Sequence, residues 1–315
     1  MSKEIKKQNN NELQEKFIGL LIENEISNIS DLIVKILYKK TPVEIKEKIK
    51  QIDKLKSWLD SFRPLSFDVV AELKKYYDVK FTYNSNAIEG NTLTQSETEM
   101  VLEKGITIGG KTLSEHLEVI GHKEAIDYIE DLAKKGTEIS EHEIRNIHHL
   151  ILQGTDRENA GTYRTLDVRA AGTEHVYPAH FLVSELMKHF INWTQSDEAR
   201  ALHPMAFATE VHYRFVSIHP FKDGNGRTAR LLMNLALLRA GYPIAIISNE
   251  LRPDYIESLV YAQDNQNDTQ KLLDLVVDSC ERSLVDHLRI VSTASSKGNK
   301  GEEFYREIQN YPDEK

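Results

Sequence analysis

The twelve residues His219-Pro220-Phe221-Lys222-Asp223-Gly224-Asn225-Gly226-Arg227-Thr228-Ala229-Arg230 run directly into LLMNLALLRAG, and no other stretch restricts the fold of this chain as much. Gly224 and Gly226 suit a tight turn in which backbone approaches a ligand closely. Leu231, Leu232, Leu235 and Leu238 then recur at the spacing of a buried helix face. The turn therefore opens onto a core helix, and the free N–H groups at that helix start, on the positive end of its dipole, form an anion site. Arg227 and Arg230, three residues apart, share a face and can reach one oxyanion. Asp223 adds a hard oxygen ligand of the kind that holds Mg²⁺ jointly with phosphates. His219 is the group here that takes a proton near neutral pH without perturbation. Taken singly, these residues suit an ordinary turn and a solvated helix. Within one turn and one helix start they point to phosphate chemistry.

The stretch resembles the signature of the Fic family, H-x-F-x-D/E-G-N-G-R-x-x-R, and fills every defined position. Members of that family move AMP from ATP onto a Ser, Thr or Tyr hydroxyl of a target protein. The resemblance implies His219 as general base and Asp223 as Mg²⁺ ligand. It implies that Asn225, Gly226 and Arg227 hold the α- and β-phosphates, that Arg230 holds the γ-phosphate, and that Gly224 belongs to the same nucleotide site. Doc-like relatives that phosphorylate carry lysine where Gly226 stands, which puts this sequence on the nucleotidyl-transfer side. By the same resemblance Tyr255, Leu259 and Gln263 border the adenosine. The string Ser85-Asn-Ala-Ile-Glu89-Gly90 resembles the family's inhibitory S/T-x-x-x-E-G/N motif. There the glutamate pairs with the second signature arginine, here Arg230, and takes it from the γ-phosphate. Ala87-Ile-Glu-Gly-Asn-Thr-Leu-Thr and Val119-Ile-Gly-His are similar to the animal, endoplasmic-reticulum branch of the family. The likeness covers about 65–288.

The rest of the sequence fits a mostly α fold with one small hairpin flap, preceded by a helical extension. Residues 1–64 read as that extension, of open role: helical spacing from Glu12 to about Tyr38, then Thr41-Pro42 opening a helix to about Phe62. Residues 65–104 form the inhibitory-helix region, with Ser66 as its cap; 105–290 form the catalytic core; 291–315 are a polar tail. Three capping boxes, Thr94…Glu97, Thr112…Glu115 and Ser140…Glu143, start helices at about 95–104, 113–135 and 141–153, with Gly136 and Gly154 as stops. Gly105-Ile-Thr-Ile-Gly-Gly-Lys111-Thr112 fits the P-loop pattern but follows a capped helix instead of a strand, so it reads as a turn. Between Ala160 and Pro178 short β-branched runs around Gly172 suggest the hairpin, which resembles the family's target-docking flap. Helices resume at about 180–195 and 204–217, from Asp254, and from Thr269 to Ile290. His212 reads as a packed histidine and His203 as a helix start.

A net charge of −9 argues against broad nucleic-acid binding. No apolar run approaches a membrane span, and the lone Cys280 has no disulfide partner, so a reducing, cytoplasmic setting is expected. ATP and Mg²⁺ are the expected cofactors and a hydroxyl-bearing protein the expected partner. Self-modification and a homodimer are compatible with the sequence, as are two other functions: AMP removal at the same site, and a nucleotide-regulated binding module.

Overall fold

In the computed structural model, residues 45–169, 175–295, 308 and 311 are described. The described residues are mostly helical: α1 Ile45–Ser61, α2 Phe67–Ile88, α3 Gln95–Lys104, α4 Leu113–Lys135, α5 Glu141–Leu152, α6 Val183–Thr194, α7 Asp197–Arg200, α8 Pro204–Ile218, α9 Asn225–Arg239, α10 Arg252–Asp264 and α11 Gln270–Ser295. Short 3₁₀ turns at His180–Leu182 and Asn249–Leu251 lead into α6 and α10. The helix expected from Glu12 to Tyr38 lies outside the described residues. No described helix is long and apolar enough to cross a membrane.

Capping chemistry sets the helix ends. Ser66 accepts the Val69 N–H at the start of α2. Thr94 and Thr112 form reciprocal capping boxes with Glu97 and Glu115, and Gly105 (φ +62°) and Gly136 (φ +66°) end their helices in the left-handed region that suits glycine. Ser140 also accepts the Glu143 N–H, but the Glu143 carboxylate takes the Ser140 hydroxyl instead of its backbone N–H. Gly154 is not the expected left-handed stop. Its lack of a side chain instead lets Leu117 approach, whose Cβ would lie 3.1 Å from a Cβ at 154.

The stripe expected on α9 is a fuller burial: every residue from Arg227 to Leu237 is buried. A helix buried all round is the centre of the fold. It packs against α8, α4 and α5, while α1 lies along α11. Ile52, Leu55 and Leu59 of α1 are buried in the same core as the 105–290 segment, so α1 shares that core. Two residues of the expected polar tail join it: Ile308 is buried, and the Tyr311 hydroxyl donates to Glu281 (2.5 Å). An isolated apolar residue and a tyrosine in a charged stretch leave no periodicity to read.

The expected hairpin is not seen: no strand occurs among the described residues, and 170–174 lie outside them. Arg164 gives the physical reason. Its buried guanidinium donates to the carbonyls of His219 (2.8 Å), Leu166 (3.2 Å) and Pro178 (2.5 Å), and its N–H donates to Pro220 (2.9 Å). These segments are joined through one side chain, not by a ladder.

The P-loop look-alike is the joint between two capped helices, and Lys111 Nζ donates to the carbonyl and hydroxyl of Thr92 (2.5 and 3.0 Å). Lys111→Ala should leave ATP affinity unchanged in calorimetric titration; a large loss with the fold intact would revive the phosphate loop. Acid should act on the buried core. Burial lowers His148, His219 and His287 to about 4 and His212 to about 3. Below the ordinary histidine value the unfolded chain binds protons that the folded chain refuses, so stability falls with pH from about 6.5 downward. At pH 5 each such histidine costs about 2 kcal/mol, and several together rival the whole stability of a domain. Melting temperature should therefore drop steeply between about pH 6.5 and 5. A flat profile would mean that these imidazoles are hydrated.

Candidate active site

The site is built where α8 ends and α9 begins. His219 caps α8 in the left-handed region (φ +52°), a conformation that costs a residue with a Cβ on the order of 1 kcal/mol and persists only where neighbours enforce it. Those neighbours are visible. Its N–H donates to Phe215, its carbonyl accepts from Arg164, and Phe221 two residues on is fully buried against Phe215, Tyr163 and His148. The Tyr177 ring lies over the imidazole, 4.1 Å between centroids. Burial pushes His219 down to about 4, with Arg164 acting in the same direction. The imidazole is neutral at pH 7 and a weaker base than the unperturbed histidine that the sequence suggests, although a backbone hydrogen bond with Val216 works against the shift.

The turn that follows is closed by Asn225. Its side chain accepts the Phe221 N–H (3.0 Å) and donates to the Phe221 carbonyl (2.9 Å), and it is buried. The Asn225 amide is thus engaged in shaping the loop. Gly224 (φ +73°) begins α9, and its carbonyl accepts from Thr228 N–H and Oγ. The first N–H groups of the helix have no intrahelical acceptor and face the turn. Arg227 lies alongside, 4% exposed, with Nη2 3.6 Å from Asp223 and a buried Nε that has no hydrogen-bond partner. An orphaned guanidinium N–H beside a helix N-terminus is suited to an anion.

Asp223 is largely exposed (71%), with one carboxylate oxygen accepting the Gly224 N–H (2.6 Å). Among the described residues no three His, Cys, Asp or Glu side chains gather as a metal cage. The donor set fits an ion that takes one protein carboxylate and its remaining oxygens from phosphates and water, as Mg²⁺ does.

Arg230 is buried (1% exposed). Its Nε donates to Ser85 Oγ (3.0 Å), and its Nη2 to the Ser85 carbonyl and to Glu89 Oε1 (both 2.7 Å). Burial opposes the charge, but Glu89 and Tyr255 outweigh it and hold the guanidinium above its ordinary value. Glu89 caps the C-terminus of α2 and Gly90 (φ +103°) turns the chain away. The Glu89 carboxylate rests directly on Gly226: a Cβ there would overlap it. A side chain carrying negative charge thus sits in the cradle at the start of α9.

The remaining expected residues are placed as follows. Tyr255 is buried behind Arg230, its hydroxyl 3.4 Å from Nη1 and 2.9 Å from His212 Nε2, so it supports the arginine from the rear. Gln263 is half-buried, and its amide bonds the Tyr177 hydroxyl. Sequence reading missed Arg164 and His148. A single arginine before a turn and a single histidine in an amphipathic helix carry no spacing signal.

Residues 138–237 match the Fic/DOC family. The chain is 37% identical over 270 residues to a protein of Nematostella vectensis named protein adenylyltransferase Fic, covering 85% of this chain and 61% of that protein. It is 36% identical over 250 residues to the Aedes aegypti protein of the same name, covering 79% and 49%. It therefore spans less than two thirds of the length of these curated relatives. A Fic-domain signaling protein from Bacteroides thetaiotaomicron superposes with a TM-score of 0.71 at 28% identity, over 78% of this chain and 97% of that one. Fic-1 from C. elegans gives 0.70 at 29%, over 91% and 84%. With the signature complete and the fold shared, residues 138–237 form a Fic/DOC family domain.

Proposed function

We propose that this protein is a protein adenylyltransferase that moves AMP from ATP to a Ser, Thr or Tyr hydroxyl of a protein target, and that Glu89 restrains it. The observation that carries the reading is the 2.7 Å Glu89–Arg230 pair lying over Gly226. A carboxylate there occupies donors arranged for phosphate, as expected where a built-in anion competes with the substrate. The shared name of the curated relatives supports the reaction class.

In the reaction, the neutral His219 imidazole takes the proton of the target hydroxyl as that oxygen attacks the α-phosphorus. The bond to the β-phosphate oxygen breaks and pyrophosphate leaves. Arg227 and the N–H groups opening α9 stabilise the charge on the phosphate oxygens, where such sites gain most of their rate. Asp223 would hold Mg²⁺, which neutralises phosphate charge when bound. Arg230, once free of Glu89, receives the γ-phosphate. The loop around Arg164, tied beside His219 by that side chain, would lie next to a target segment. Glu89 is also 38% exposed, so it can orient a water; AMP removal from a labelled target by wild type but not by Glu89→Gly would favour that second activity.

Two measurements test the transfer reading. With α-labelled ATP, His219→Ala should lose about 10²–10⁴ in rate, because the general base is gone. ATP binding should stay near the parent value, since the phosphates are held elsewhere. Transfer at the parent rate would remove His219 from the mechanism. Glu89→Gly should raise AMP incorporation by at least about a hundredfold, self-modification included, because aligning reactants is worth several kcal/mol. Adding Arg230→Ala should abolish the gain. A single variant no faster than the parent would reduce Glu89 to a helix end.

A further inference from the structure

We propose that His148, on α5, is a positioning residue for the phosphate loop, setting the direction of the Asp223 peptide and through it the carboxylate and the N–H groups that follow. The inference rests on the nucleotide reading of 219–230 and deepens it.

His148 is fully buried. Its Nδ1 accepts the Gly161 N–H (2.9 Å), so the ring proton is on Nε2, which donates to the Asp223 carbonyl (2.9 Å). Its ring lies parallel to Phe221, 3.5 Å between centroids with 3° between planes. It also fills the space beneath Gly224, where a Cβ would lie 3.2 Å from Nε2 and 3.3 Å from Cδ2. One imidazole thus touches Phe221, Asp223 and Gly224 in succession and ties all three to the backbone at Gly161. Both ring nitrogens are engaged, so only the neutral Nε2–H tautomer serves.

Without the donor the Asp223 peptide can rotate, since Gly224 next to it has no side chain to limit the turn. The carboxylate and the Gly224 N–H it accepts would move together. Packing elsewhere is untouched, because Phe221 keeps its contacts with Phe215 and Tyr163.

Glutamine and asparagine at this position separate the role from packing. In His148→Gln the side-chain amide nitrogen stands near the place of Nε2 and keeps the donor to Asp223. In His148→Asn the side-chain oxygen stands near the place of Nδ1 and keeps only the acceptor for Gly161. Calorimetric ATP binding with and without Mg²⁺, and thermal unfolding, are measured in the Glu89→Gly background for His148→Gln, His148→Asn and the exposed-neighbour control His149→Gln. His148→Gln and the control should bind ATP within about threefold of the parent. His148→Asn should bind about tenfold more weakly, the worth of one buried hydrogen bond. It should also need more Mg²⁺ for half-maximal effect, with a melting temperature matching His148→Gln. Should His148→Asn not fold, His148→Met, which keeps volume without the donor, replaces it. ATP affinity unchanged in the variant lacking the donor, or lost equally in the glutamine variant, overturns the proposal while the nucleotide reading stands. No ATP binding by the parent removes both.

Discussion

The buried guanidinium of Arg230 is the constraint on which the rest of the site depends. A charge taken from water costs several kcal/mol unless hydrogen bonds and an opposite charge surround it. Here the partners come from separate elements: Ser85 and Glu89 from α2, and Tyr255 from α10. Meeting one side chain's needs fixes where both helices lie against α9. The same charge explains the histidines around it. His212 and His122 are buried and neutral, held down first by burial and then by Arg230. A second protonated group beside this arginine would add like charge in the same buried space.

The partners of Arg230 differ in how easily they can be exchanged. Ser85 and Tyr255 are buried, whereas the Glu89 side chain is 38% exposed. The helix behind Glu89 is firmly anchored. Lys74 pairs with Glu130 of α4 (2.8 Å), Lys123 of α4 pairs with Asp78 (3.2 Å), Lys80 pairs with Asp286 of α11 (3.0 Å), and Arg252 takes the Ile88 carbonyl (2.7 Å). A phosphate replacing the carboxylate would therefore need only a side-chain rotation at the C-terminus of α2. The absence of a Cβ at Gly226 leaves room for either anion, one at a time.

Much of this was legible in the sequence because it rests on local rules. The Thr94 and Thr112 boxes, the stop at Gly136 and the turn at Gly224 all follow from backbone needs within a few residues. The meeting of Glu89 with Arg230 was legible only through family resemblance, since 141 positions separate them. What escaped were side chains whose role is to satisfy distant backbone. Arg164 holds carbonyls on three segments, and His148 one carbonyl and one N–H; neither belongs to a repeating pattern. Asn225 stands in the loop that the motif marks, and what its position does not say is that the side-chain amide closes that loop on Phe221.

The hairpin shows the same limit from the other side. Short β-branched runs around a central glycine report a preference for extended backbone. They do not say what satisfies that backbone's hydrogen bonds. Where a buried arginine already takes the carbonyls at Leu166 and Pro178, a ladder between those segments would have to displace bonds to a charged donor, which are the stronger kind. The same guanidinium takes the carbonyl of His219, whose left-handed backbone needs enforcement. The loop beside the site and the strained histidine are thus held by one group. Loosening the loop at Arg164 would release the conformation that aims the imidazole.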